Sequence, residues 1–446
     1  MQDKSQSITP PKSRRTFVQT SAAAVAGLGV VTASGRTTAA NETLALNGGP
    51  KAVTFPDAKQ TALTRWPRYG ASEKKALIDM IESNKYYTEL PIFENEWKEY
   101  TKSPFVKAHM NGSSALNSMF FALDLEPGSE ILVQSYTFFA TILPMRFFGY
   151  VPIFVDIDPK TGCFDLEDAK KKITPLTKAI LPMHSWGMPA ELDKISDYAK
   201  EKGLILCEDC AHAHGASMQG KHVGTFGAMS IFSFQTTKVM PAIEGGMGMY
   251  KSREHFERAS AYGHYEDPPK FPADSPYRKY KETGFGQKYR MHPLAAAIGR
   301  QQLRGLDERN ALVHSNVRKL NSRLTQLAGI SEPFVRPDQK RSYYSANMLF
   351  LDEKKAGITR EKMVGALKAE GVRASVWEYP EQHNYTIYHE AKWWHHPPVI
   401  PTSMPGGMQV NKSHFFIPLF YGEQPELVEQ YVKAFEKVWA NRAKLA

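Results

Sequence analysis

The sequence predicts an α/β fold in which a large domain, built on a seven-stranded and mainly parallel sheet, is followed by a smaller C-terminal α+β domain. Three observations predict it. Between about residues 68 and 250, short apolar, β-branched runs alternate with amphipathic stretches, the pattern of strands covered by helices. From about residue 331 the chain carries a second, separate set of apolar segments. With 446 residues and 42% hydrophobic composition, the chain can bury a core of two-domain size, and intrinsic disorder is excluded.

The strands are predicted at 105–108, 130–133, 151–155, 179–183, 204–207, 228–233 and 246–250. Between them, 113–123, 138–148 and 192–202 carry apolar residues at helical spacing. Glu126-Pro127-Gly128 and residues 158–162 are rich in turn formers and predict loops. From 262 to 287 the composition turns to Pro, Lys, Tyr and Gly, which predicts an exposed excursion. A helical stretch over 292–311 and on to 327 leads away from it, and the tail shows apolar segments at 343–351, 360–370, 414–419 and 426–439. These patterns divide the chain into 1–40, 41–305 and 306–446, with no internal repeat.

Residues 1–40 stand apart from that core. Ser13-Arg14-Arg15-Thr16-Phe17-Val18-Gln19 precedes a small-residue apolar run over 20–33, which resembles a twin-arginine export signal. The run is 14 residues long, whereas a membrane-spanning helix takes about 20 apolar residues. The expectation is cleavage near Thr38-Ala39-Ala40, a periplasmic or extracellular mature chain beginning near Asn41, and no stable membrane insertion; an ordinary basic N-terminus is the competing reading. Without residues 1–40, which hold five Lys/Arg and one acid, the formal charge falls from +10 to +6. That excess is scattered, so it fits anionic small molecules and argues against a nucleic-acid partner.

Cys163, Cys207 and Cys210 are too few and too unevenly spaced for a disulfide framework. Cys207 and Cys210 end an apolar strand pattern, where their spacing points them to opposite faces and predicts packing roles rather than a redox pair. No second ligand pair follows, so no metal is expected.

Four segments carry chemistry. Lys238 follows the strand ending at Ser233 and precedes Glu244-Gly245-Gly246, so its amine falls near the carboxyl edge of the sheet, where it could form a Schiff base with an aldehyde cofactor. Glu208-Asp209-Cys210-Ala211-His212 also follows a strand; Asp209 could pair with a pyridinium nitrogen and His212 with the same ring's phenolic oxygen, or Asp209 could simply cap a helix. Asn111-Gly112-Ser113-Ser114 opens a helix whose free N–H groups suit a phosphate. Ser135-Tyr136-Thr137-Phe138-Phe139-Ala140-Thr141 could set Phe138 or Phe139 against a planar ring, or bury both in the core. Each segment is ordinary alone. Phosphate cradle, ring stack, pyridinium partner and lysine together specify one cofactor, pyridoxal 5′-phosphate.

These segments, with Phe154-Val155-Asp156-Ile157-Asp158, 184–193 and 289–299, resemble the DegT/DnrJ/StrS family of pyridoxal-phosphate sugar aminotransferases from about residue 44 to the C-terminus. The resemblance implies a type I pyridoxal-phosphate transferase fold. It also implies Lys238 as Schiff-base lysine and general acid/base, Asp209 as partner of the pyridine nitrogen, and His212 beside the cofactor. Ser233, Ser113 and Ser114, with Gly112, would bind the phosphate, and Phe138 would stack on the ring. It further implies a homodimer in which 286–290 of one subunit reaches the other's cofactor, with Lys288 standing where an Asn is common. The expected reaction moves an amino group from Glu or Gln to a keto-sugar or keto-cyclitol. The alternatives are a non-catalytic binding or regulatory protein on the same fold, or a sugar dehydratase, the last disfavoured by Lys238.

Overall fold

The computed structural model describes residues 42–445, and the predicted export signal lies outside them. Seven strands form the main sheet: β1 (Phe105–His109), β2 (Glu130–Gln134), β3 (Val151–Val155), β4 (Thr177–Leu181), β5 (Ile205–Asp209), β6 (Met229–Ser233) and β7 (Gly246–Tyr250). They lie in the order β1-β7-β6-β5-β4-β2-β3. β7 runs antiparallel to β1 and β6, and every other neighbouring pair is parallel. All seven sit where the apolar runs predict them, with ends displaced by at most two residues.

Both faces of the sheet are covered, which is why its strands read as continuous apolar runs rather than alternating ones. β2 is buried at all five positions, sending Ile131 and Val133 into one core and Leu132 into the other. Before β1 runs α1 (Glu89–Thr101), and after it α2 (Gly112–Leu123). Leu116, Met119 and Phe120 of α2 pack against Ile131, Val133, Met229 and Ile231 on one face. On the other, Phe93 and Trp97 of α1 meet Phe232, Phe234 and Met247. The predicted helix 192–202 forms as α3 (Leu192–Lys202), whose Ile195 and Ala199 close the core over Leu132, Ile180 and Leu206. Cys207 and Cys210 face opposite cores as expected, and burial pushes both thiols up. All three cysteines are free and buried.

One predicted helix takes another form and a second is interrupted. The 138–148 stretch is a pair of 3₁₀ turns, Phe139–Thr141 and Leu143–Phe148. A continuous α-helix would place Pro144 in its interior, where the ring clashes with the carbonyl of Ala140 and no N–H is available. The 292–327 stretch is broken into α4 (Pro293–Arg304) and α5 (Leu306–Leu324) at Gly305, the residue least able to hold helical backbone short of proline. The 262–287 excursion contains only short 3₁₀ turns; it is largely exposed and anchored by buried His264, Phe271 and Ser275.

The C-terminal part carries a three-stranded antiparallel sheet, β8 (Ile330–Ser331), β9 (Ala346–Leu351) and β10 (His414–Pro418), in the order β8-β9-β10. Helices α6 (Arg360–Ala369) and α7 (Pro425–Asn441) cover it. Leu349, Phe415 and Ile417 share a core with Leu320, Leu324, Met363, Leu367, Leu427 and Phe435. A further apolar cluster joins Tyr136 and Trp186, from loops at the carboxyl edge of the main sheet, to Met348, Tyr379 and Phe416. That seam brings C-terminal side chains to the edge where the candidate residues lie. Among the described residues, no helix is long and apolar enough to cross a membrane.

Candidate active site

A cavity of about 440 Å³ opens at the carboxyl ends of the central strands, within the range that holds small ligands and cofactors. Its lining includes Gly112, Ser113, Phe138, Asp209, His212, Ser233 and Lys238, so seven of the nine predicted site residues meet in one place.

The start of α2 forms one wall. Asn111 Oδ1 accepts the Ser114 N–H at 2.8 Å, and Ser114 Oγ accepts the Asn111 N–H at 3.1 Å, a reciprocal cap that fixes where the helix begins. The first N–H groups, at Gly112 and Ser113, have no intrahelical partner and face the cavity side of the cap. A Cβ on Gly112 would stand 2.8 Å from the Cβ of Ser233, so glycine is what lets the helix start close onto the end of β6. Ser114 is not brought to the cavity. Its hydroxyl also donates to the Asn111 carbonyl at 2.8 Å, and both its polar groups are consumed by the cap. This corrects the expectation of Ser114 as a direct phosphate ligand: the N3 position of a capped helix points back along the chain rather than outward.

Asp209 closes the floor. Its Oδ1 accepts the Ala211 N–H at 2.9 Å and its Oδ2 the Thr141 hydroxyl at 2.8 Å. Burial raises its carboxyl above the usual aspartate range, while those two hydrogen bonds and the nearby Lys238 charge pull the other way. Asp209 also accepts the His184 N–H through its backbone carbonyl, so its position is fixed from both ends. The neighbouring Glu208 points to the opposite core, where it accepts the backbone N–H groups of Gly224, Phe226 and Gly227 at 2.7, 2.8 and 2.7 Å. That carboxylate, close to His184 and Cys210, is committed to holding the chain after β5.

His212 lies flat on Tyr344, with ring centroids 3.7 Å apart and planes 15° from parallel. Burial, and then the Lys238 charge, hold its imidazole well below the usual histidine range, so the ring is neutral, and its Nδ1 is buried without a hydrogen-bond partner. Lys238 Nζ stands 4.7 Å from the centre of the same Tyr344 ring. The Thr237 hydroxyl and the Tyr344 hydroxyl are 3.2 Å apart. Glu244 lines the cavity with its carboxyl raised by burial, an effect that Lys238 opposes. Phe138 lines the mouth and is 47% exposed, packed on Phe139 at 4.2 Å rather than in the core. Lys288 is exposed just past the excursion and lines no part of this cavity in its own chain.

Sequence reasoning missed Thr141, Gln235, Glu244, Tyr344 and Tyr379 as lining residues. Thr141 and Glu244 belong to segments that were singled out, and a hydroxyl or carboxylate beside a strand end was the available signal. Tyr344 and Tyr379 arrive from the C-terminal part across the Trp186 seam, and no local pattern marks them.

An acid floor, a lysine, a neutral histidine with a free ring nitrogen and an open helix start are the donor set a phosphorylated pyridine aldehyde needs. The model of one protein family matches residues 67–436. The chain belongs to the DegT/DnrJ/EryC1/StrS aminotransferase family. Members of this family are pyridoxal-phosphate-dependent aminotransferases, so the cofactor is pyridoxal 5′-phosphate. GDP-perosamine synthase from Escherichia coli O157:H7 is 35% identical over 216 residues, 48% of this chain and 57% of that one. 3-Amino-5-hydroxybenzoate synthase from Amycolatopsis mediterranei is 30% identical, covering 62% of this chain and 72% of its own. The matched stretch spans 57% of the first of these and 66% of a relative from Streptoalloteichus tenebrarius, less than two thirds of the length of each. Among solved structures, an aminotransferase from Psychrobacter cryohalolentis superposes with a TM-score of 0.76 at 25% identity, over 84% of this chain and 98% of that one. DesI in the presence of its TDP-sugar product gives 0.73 at 25% identity, over 90% and 97%. The family fold, a type I pyridoxal-phosphate transferase, is the α/β architecture described above.

Proposed function

We propose that this chain transfers an amino group from glutamate or glutamine to a keto group on a sugar or cyclitol. The observation that carries it is the convergence of Lys238, Asp209 and the Gly112–Ser233 cradle on one cavity. Pyridoxal phosphate bound there would supply an aldehyde carbon for amino-group exchange and an electron-withdrawing ring conjugated to the substrate carbon. Lys238 would hold that aldehyde through Nζ and, once displaced, carry a proton at the substrate carbon. Asp209 would keep the pyridine nitrogen protonated, and His212 would meet the ring's phenolic oxygen. Gly112, Ser113 and Ser233 would take the phosphate, and Phe138 would cover the ring. The names of several relatives support the substrate class, among them an L-glutamine:2-deoxy-scyllo-inosose aminotransferase of Streptomyces kanamyceticus, 29% identical over 68% of this chain.

The same reading takes the working form as a homodimer, with Lys288 reaching the partner's cofactor. Exposed Phe138, Phe139 and Ile243 around the cavity supply apolar surface for a second copy. Export through the twin-arginine route rests on the sequence pattern of residues 13–40. Fusing residues 1–40 to a reporter, with Arg14 and Arg15 changed to Lys in the control, tests it: a reporter kept inside the cell by both fusions removes the export reading.

The reaction is tested by visible absorption of the purified protein and of Lys238→Ala, before and after glutamate or glutamine. A cofactor band that is absent from the variant, and that bleaches with donor only in the wild type, is the expected result. A band that forms but ignores every donor points to dehydration chemistry, and a protein that takes up no cofactor leaves a binding role on an inherited fold.

A further inference from the structure

Lys238 sits in a loop, 234–245, that has no regular secondary structure. Its base is closed by backbone bonds from Phe234 N–H to the Gly245 carbonyl and from Thr236 N–H to the Ile243 carbonyl, and Lys238 N–H donates to the Gln235 carbonyl at 2.8 Å, yet a Schiff-base lysine must present its amine at one point despite a flexible four-carbon stem. The structure shows the loop gripped from an unexpected direction. The indole Nε1–H of Trp66 donates to the Lys238 carbonyl at 3.1 Å. Further along the loop, Tyr69 accepts the Ile243 N–H on its hydroxyl at 3.2 Å. Ile243 has φ of 68°, a conformation that a β-branched residue keeps only when its surroundings hold it. Between them, a guanidinium nitrogen of Arg309 reaches the Val239 carbonyl at 3.4 Å.

Trp66 is itself held. Its ring stacks on Tyr421 with centroids 4.5 Å apart and planes 23° from parallel, and the Arg309 guanidinium lies 5.6 Å from its ring centre. Tyr421 follows β10, so the segment carrying Trp66 and Tyr69 is wedged between the lysine loop and the C-terminal part of the chain. Trp66 does not line the cavity.

We propose that Trp66 is a positioning residue for Lys238. With Tyr69 it sets the backbone from which the amine reaches the cofactor, and through Tyr421 it ties that backbone to the small C-terminal sheet. This inference rests on the reading of Lys238 as the cofactor lysine.

Trp66→Phe keeps a ring for Tyr421 and deletes the N–H. In the cofactor-free variant, hydrogen exchange across 237–243 should accelerate about five- to tenfold, the worth of one lost hydrogen bond, with the melting temperature lowered by no more than about 2–4 °C. In the loaded variant, the pH midpoint of the visible band should shift and cofactor affinity fall by a similar factor. Exchange, band midpoint and affinity all equal to wild type would reduce Trp66 to ordinary packing and overturn the proposal. If Trp66→Phe does not fold, Tyr69→Phe removes only the hydroxyl that accepts from Ile243. Faster exchange at Ile243 with a displaced band midpoint then supports the proposal, and wild-type values for both overturn it. Because the exchange arm needs no cofactor, a protein that fails to bind pyridoxal phosphate would refute the function while the grip on the loop is still decided.

Discussion

Asp209→Asn should make the cofactor-free protein more stable and the enzyme nearly inactive. The carboxyl group is 2% exposed and accepts two hydrogen bonds, from Ala211 and Thr141, where a solvated carboxylate accepts about four. An asparagine can keep both: its carbonyl oxygen accepts from Ala211, and its NH₂ donates to the Thr141 hydroxyl, which then donates to Thr137 at 2.9 Å. The substitution thus removes a buried charge and keeps both contacts, its second amide N–H being left on the cavity side. That relief is worth about 1–3 kcal/mol where the wild-type carboxyl is ionised. The sign follows from linkage. Burial raises this acid in the folded state, so the folded protein binds more protons than the unfolded one, and stability declines as pH rises from about 3.9, the unfolded value, toward the folded one. The variant's advantage should therefore be near zero at about pH 4 and full at neutral pH. Urea denaturation of both cofactor-free proteins across that range measures it. Transamination should fall by roughly 10²-fold or more, the usual loss when a preorganised electrostatic partner is removed. A variant less stable than wild type at neutral pH, or an advantage that does not grow with pH, would refute the picture of a strained charge awaiting a pyridinium.

Two further outcomes follow from single contacts. Gly112→Ala places a Cβ 2.8 Å from Ser233, so the helix start must back away from β6 at a cost of about 1–3 kcal/mol; cofactor affinity, read by fluorescence titration, should fall more than tenfold, and an unchanged affinity would remove the cradle assignment. Glu381, with a buried unpaired oxygen, has its carboxyl pushed up to about 7 by burial and then by Asp156 and Glu378. Wild-type stability should decline as pH rises from the ordinary glutamate range to about 7, and Glu381→Gln should flatten that slope in denaturation midpoints, a parallel slope in both proteins ruling Glu381 out as its source.

The main sheet was legible because most strand positions are buried on both faces, as all five of β2 are, which writes short, largely apolar runs into the sequence. Those runs put Asp209 and the loop of Lys238 at strand ends, and open α/β sheets gather ligands at that edge. The stretch at 292–327 is helical as its spacing predicts, apart from the break at Gly305, whereas 138–148 forms 3₁₀ turns because Pro144 interrupts its apolar spacing. The fate of the site residues depended on partners no window contains. Ser114 looked identical to Ser113 until the Asn111 cap claimed its hydroxyl and N–H.

By itself the sequence determined which short segments form strands and which polar residues stand at their ends, because both are set by neighbours within a few positions. Tertiary structure decided the rest. Strand order set β5 beside β6 and so Asp209 beside the lysine loop; the Trp186 seam carried Tyr344 onto His212; and Trp66 came from far upstream to hold the Lys238 backbone. The last two contacts join residues more than a hundred positions apart, and only the packing of two cores against one another selects which distant side chains share a surface.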